Sequence, residues 1–99
     1  MGDAELRLHP EAAAESEQVR DWYATRNSAV GLRFLKELDS AMSAVRDCPD
    51  RWATLWRGFC RYTLPSFPVS IVYRQRGGSI EVVAVARHRR RPGYWMSRR

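Results

Sequence analysis

Ile80-Glu81-Val82-Val83-Ala84-Val85-Ala86-Arg87 is an apolar run interrupted only by Glu81 before it ends in arginine. Such a run, rich in β-branched residues, predicts a strand covered on both faces and therefore central in a sheet. Just upstream, Gly77-Gly78 supplies a tight hairpin turn, and Phe67 to Gln75, containing Val69, Ile71 and Val72, predicts the partner strand. Pro65-Ser66 reads as another turn and Phe59-Cys60-Arg61-Tyr62-Thr63-Leu64 as a further strand, which completes a three-stranded antiparallel meander. Asp50 to about Gly58 predicts a loop whose Trp52 and Trp56 cover the edge of the core.

On the other side of Pro49 the apolar period changes from two to 3.6. Phe34, Leu35, Leu38, Ala41, Met42 and Val45 recur on one helical face, with Ser28 available as the cap of that helix and Pro49 just beyond its end. Arg26-Asn27-Ser28 is a short connection to an earlier helix, from Glu11 to about Thr25, whose apolar stripe is thin: Ala12, Val19, Trp22 and Tyr23. Pro10 suits the first turn of that helix, and Ala4 to His9 alternates as a short strand. Two helices joined so closely pack as an antiparallel hairpin. The expected fold is α+β, in the order β-α-α-β-β-β, with the helical hairpin on one face of a small antiparallel sheet.

Charge divides the chain more sharply than its net value of +6 conveys. Residues 1–50 hold 6 Lys and Arg against 10 Asp and Glu, whereas residues 51–99 hold 11 Arg against Glu81 alone. A cationic half of this kind favours a polyanionic partner, either nucleic acid or an acidic protein segment, because clustered cations raise the local potential. Arginine also suits bidentate contacts with phosphate and carboxylate.

Several function classes are excluded by pattern. No P-loop, HExxH, carboxylate pair or glycine-rich phosphate loop is present, which argues against nucleotide hydrolysis, metalloprotease and glycosidase chemistry. Cys48 and Cys60 lack the spacing of a zinc site or a disulfide framework, so no metal or cofactor is expected. No apolar run reaches the roughly 18 residues of a membrane span. The opening Met1-Gly2-Asp3-Ala4-Glu5 lacks the order of a signal peptide, so a cytoplasmic protein with one domain over 1–99 is expected.

Four stretches, taken in order, resemble the ParE/RelE superfamily of small bacterial toxins. They are His9-Pro10-Glu11-Ala12-Ala13; Trp22-Tyr23 followed by Phe34-Leu35-Lys36-Glu37-Leu38; Phe67-Pro68-Val69-Ser70-Ile71-Val72-Tyr73-Arg74; and Val83 through Trp95. The resemblance implies the toxin of a type II toxin-antitoxin, or plasmid stabilisation, module: a protein that arrests growth and is neutralised by a cognate antitoxin, with which it forms a hetero-oligomer. Its two branches imply different targets. A RelE-like toxin is a ribosome-dependent mRNA endonuclease, and the positions matching its catalytic set are His88, Arg61 and Tyr94. Ser70, however, stands where that branch often carries a phosphate-binding arginine. A ParE-like toxin inhibits DNA gyrase without a catalytic set, and the long helical hairpin, roughly residues 10–47, favours this branch.

Outside the toxin class, the basic half is compatible with a non-enzymatic nucleic-acid-binding module. Arg87, Arg89, Arg90, Arg91 and Trp95 are the candidate contacts to target or antitoxin, in a tail spanning residues 88–99. Histidine can act as a base near neutral pH, which makes His88 a candidate catalytic group, a surface strand-end residue being the alternative. Tyr94 and Trp95 either contact a partner or fold back onto the sheet, since adjacent aromatics in a tail call for something to pack on.

Overall fold

The computed structural model describes residues 5–55 and 57–98. Seven elements follow one another: β1 (Glu5–Leu8), α1 (Pro10–Arg26), α2 (Ser28–Asp47), β2 (Ala53–Thr54), β3 (Phe59–Thr63), β4 (Val69–Arg76) and β5 (Ser79–Arg87). The strands form one sheet in the order β1-β5-β4-β3-β2. The fold is α+β, with the helical hairpin laid on one face of the sheet. Ala4 and Trp56, read above as a strand end and a core cover, lie outside the described residues.

The two helices owe their ends to local chemistry. Pro10 occupies the first turn of α1, where its missing N–H costs nothing, and the His9 Nδ1 accepts from the Glu11 N–H at 3.1 Å. Asn27, not Ser28, caps α2: its side-chain oxygen accepts from the Ala29 N–H at 2.9 Å while its own N–H closes α1 on the Tyr23 carbonyl. One residue thus terminates one helix and starts the next, which leaves no room for a loop. The helices cross where Ala24 meets Gly31, so closely that a Cβ on Gly31 would stand 2.7 Å from that of Ala24.

Beneath the hairpin, Phe34, Leu38, Ala41 and Val45 of α2 and Ala12 and Val19 of α1 pack on Ile71, Tyr73, Ile80, Val82 and Val85. Trp52 closes the rim of this layer, its indole N–H reaching the Ala44 carbonyl at 3.4 Å. Phe67 departs from the predicted strand. It leaves the ladder to pack edge-on against Tyr23 and Phe34, with ring centres 4.9 and 5.4 Å away, so β4 begins only at Val69. Pro68, which has no N–H to give a ladder, separates the packed Phe67 ring from the strand.

Two features of the sheet differ from the sequence expectation. The sheet is mixed, because β1 pairs parallel to β5 from Glu5↔Ser79 to Leu8↔Val82. Two helices and three strands separate β1 from β5, a connection long enough for the chain to come back in the same direction, as a parallel pair requires. In addition, Ala53–Thr54, read as loop, pairs antiparallel with Arg61 and Cys60. Arg57 and Gly58, at φ 58° and 81°, make the left-handed turn that folds this segment back on β3. The Gly77-Gly78 turn and the interior position of β5 are as expected, with Arg76 opposite Ser79 and β5 between β1 and β4.

The second face of the sheet is covered by the tail. Residues 88–98 form successive tight turns, with the N–H groups of Arg90, Tyr94, Met96 and Arg98 each bonded to the carbonyl three residues earlier. They carry Trp95 over Phe59, Val72, Val83 and Ala84. The indole is 7% exposed and meets the Phe59 ring edge-on at 4.6 Å.

Candidate functional site

Between the tail and the end of the sheet runs an open groove of about 330 Å³. Arg61 and Thr63 reach it from β3, Ser70 and Val72 from β4, Ala86 and Arg87 from β5, and the stretch from Arg90 to Trp95 forms its far wall. Alternation explains the pairs Arg61 and Thr63 on β3 and Ser70 and Val72 on β4, positions two apart sharing a face, while Arg87 reaches the groove from the end of β5. His88, Arg61 and Tyr94, together with Arg87, Arg90, Arg91 and Trp95, therefore border one cavity, although they are as much as 34 residues apart in sequence. Arg89 is exposed and does not line it.

No carboxylate lines the groove. Glu81, the single acidic residue of the basic half, is engaged elsewhere, pairing with Arg74 at 2.9 Å across β4 and β5. Arg61, Arg87 and Arg91 make no ion pair among the described residues. Behind them lies a short chain of hydroxyls: Thr63 Oγ1 to Ser70 Oγ at 3.0 Å, and Ser70 Oγ to His88 Nε2 at 3.1 Å. Ser70 is 3% exposed, so this chain fixes the imidazole from below.

The wall opposite is held by a residue that the sequence reading passed over. Glu15, 7% exposed on α1, accepts from the Val85 N–H at 3.0 Å, from the Tyr94 hydroxyl at 2.6 Å and from both terminal nitrogens of Arg98 at 2.8 and 3.0 Å. Burial pushes its carboxyl pKa up, but the bonds from Arg98, Tyr94 and Val85 outweigh that and hold it below the usual carboxylate range. Arg98 also donates to the Val83 carbonyl at 2.9 Å. Since β1 ends opposite Val82, this pair of side chains satisfies the part of the β5 edge that no strand covers. Glu15 stands three residues after Ala12 and four before Val19, on the apolar stripe of α1. A charge at such a position was the available signal.

The consequence for Tyr94 is chemical. Its hydroxyl is committed to Glu15, and burial, then that bond, raises its pKa above the ordinary phenol value. Arg90 lies over its ring at 3.9 Å. Tyr94 thus braces the groove wall, its hydroxyl donating to Glu15. Trp95, expected among the contact residues, is turned onto the sheet as packing, and its burial removes most of it from a partner's reach. What the groove presents to an incoming molecule is a set of guanidinium groups, two hydroxyls and the His88 imidazole.

A second feature lies on α1. Trp22, among the described large apolar residues left exposed, has the Arg26 guanidinium 3.5 Å and that of Arg87 4.6 Å from its ring centre. Arg87 is thereby shared between the groove and the helical hairpin. Among the described residues no three metal-binding side chains cluster, and no helix is long and apolar enough to cross a membrane. Cys48 and Cys60 are both free thiols.

Comparison with known proteins gives the context of this geometry. No curated protein sequence matches the chain. Among solved structures, a chain described as "Chromosomal ParDE TA system from P. aeruginosa" superposes with a TM-score of 0.77 at 19% identity, covering 88% of this chain and 98% of that one. At such low identity the likeness speaks of the fold. The family model described as the ParE toxin of the type II toxin-antitoxin system parDE matches residues 6–92, from the first strand into the groove wall. The chain belongs to the ParE toxin family.

Proposed function

We propose that the chain arrests bacterial growth by inhibiting DNA gyrase and is neutralised by a cognate antitoxin encoded with it. The observation that carries this reading is the family match over residues 6–92, which takes in the hairpin, the sheet and the first residues of the tail. The commitment of the Tyr94 hydroxyl to Glu15 supports inhibition by binding over mRNA cleavage, because it leaves His88 without a second proton-transfer group in the groove. Arg87, Arg89, Arg90 and Arg91 are the residues proposed to meet the target or an acidic stretch of the antitoxin. The antitoxin would cover the toxin with a segment that orders on binding, the usual way a disordered chain holds an extended surface.

Purified protein added to gyrase and relaxed plasmid tests the reading. Supercoiling that falls with toxin concentration, and recovers when the antitoxin is added, is the expected result. Undisturbed supercoiling, together with new codon-phased mRNA ends on translating ribosomes, would overturn it in favour of the RelE-like activity.

A further inference from the structure

We infer that the outer edge of β1 pairs with the same edge of a second copy of this chain, antiparallel about a two-fold axis at Leu6. The sheet ends in β2 on one side and in β1 on the other. β2 is two residues long, whereas β1 offers four, from Glu5 to Leu8. The His9 N–H bonds to the Val82 carbonyl at 2.8 Å, which fixes the direction of every backbone group before it. By the alternation of a strand, Arg7 and Glu5 also turn their N–H and C=O towards β5, and Leu6 and Leu8 turn theirs away from it. Among the described residues no hydrogen bond reaches these outward groups of Leu6 and Leu8. An edge of this kind is a template for another strand.

The side chains select the occupant and its register. Leu6 and Leu8 pack against the core beneath the hairpin, while Glu5 and Arg7 share the opposite face with side chains 65% and 66% exposed. With Leu6 opposite Leu6, the two copies exchange both Leu6 N–H···O=C bonds, and each Glu5 stands opposite Arg7 of the second copy. Positions flanking such a bonded pair are the closely spaced ones of an antiparallel ladder, so both ion pairs fall where side chains approach most. Within each copy Arg7 Nε already lies 3.5 Å from Glu5 Oε1, and the dimer gathers the two pairs into one cluster of alternating sign. Neighbouring registers are penalised. An axis at Arg7 sets Arg7 against Arg7, an axis at Glu5 sets Glu5 against Glu5, and like charges directly opposite are destabilising. On the other face the two Leu6 side chains meet and cover surface that the core leaves half exposed. A strand of another protein would have to carry this charge order by chance, whereas a second copy supplies it by symmetry.

The inference does not depend on the target of the toxin, and it is tested on the purified full chain. Sedimentation equilibrium at micromolar concentration is expected to give twice the chain mass of 11.5 kDa. Glu5→Arg and Arg7→Glu each turn both ion pairs of the dimer into like-charge pairs, and each is expected to weaken dimerisation about tenfold or more. An equal mixture of the two single variants is expected to restore a dimer with one chain of each kind. The double variant Glu5→Arg/Arg7→Glu reverses the order of charges on both copies and is expected to dimerise as the native chain does. Recovery in the mixture also excludes misfolding of the single variants as the cause of their loss. Hydrogen exchange locates the contact: the Leu6 amide is expected to be protected in the native dimer and to exchange freely in Arg7→Glu. A native chain that stays monomeric, a dimer that survives both single reversals, or single variants that remain monomeric when mixed would each overturn the inference. Protection of the Leu6 amide that arises only on addition of the antitoxin would also overturn it and give this edge to the antitoxin instead.

Discussion

Glu15 ties three parts of the chain together. A buried carboxylate on a helix accepts from a strand N–H, a tail hydroxyl and a tail guanidinium at once, and each partner would be costly to leave unsatisfied. Glu15→Ala strands the Arg98 guanidinium, which is itself 9% exposed, and is expected to destabilise the fold by about 3–5 kcal/mol in chemical denaturation. Its sign with pH is fixed by the depressed carboxyl pKa. The contribution is complete above the unfolded value of about 4.3 and is lost as pH falls through the lower folded value. Acid titration of stability should therefore be steeper for the native chain than for Glu15→Gln, and coincident curves would contradict this role. In the sequence Glu15 was one of several acids in a helix of Ala, Glu and Gln. Its place on the apolar stripe between Ala12 and Val19 sets it apart from the other acids, but the arginine that faces it, 83 residues later, is given only by the fold.

At the scale of elements, the hairpin depends on a glycine whose space is already filled. Alanine in place of glycine inside a helix normally gains about 1 kcal/mol from propensity. At Gly31 the new Cβ would lie 2.7 Å from that of Ala24, so Gly31→Ala is expected to destabilise, and Ala24→Gly in the same chain to recover part of the loss; a rise in melting temperature for the single variant would refute the close crossing. The tail is an element of equal weight. Removing every residue after Arg87 uncovers Phe59, Val72, Val83 and Ala84 and deprives Glu15 of Tyr94 and Arg98, so the truncated chain should bind an apolar dye and lose growth arrest. If arrest survives unchanged, the tail has no part in toxicity.

The same scale shows what the sequence could convey. Both helices, the Gly77-Gly78 turn and the interior strand rest on local periodicity and turn chemistry, and these were legible. The parallel pairing of β1, the two-residue β2 and the departure of Phe67 from β4 depend on contacts between distant segments. The groove falls between these cases. Its arginines were identified as a basic tail and one strand position, but their convergence needed the pleat of three strands and the turn-by-turn path of the tail.

Across the whole molecule, charge and architecture divide along the same line. The acidic half supplies the helical hairpin and the edge strand β1, and the basic half supplies the other four strands and the tail, whose arginines border the groove. One buried acid from the first half, Glu15, crosses to the second and holds the groove wall in place. On the proposed reading, this basic face serves a ParE toxin that stops growth through gyrase. The most direct measurement is to induce the protein in cells without an antitoxin while following growth, the DNA-damage response and the positions of mRNA ends in one culture. Arrest with a DNA-damage response and intact messages is the predicted result; arrest with new codon-phased mRNA ends and no damage response, or unimpeded growth, would contradict it.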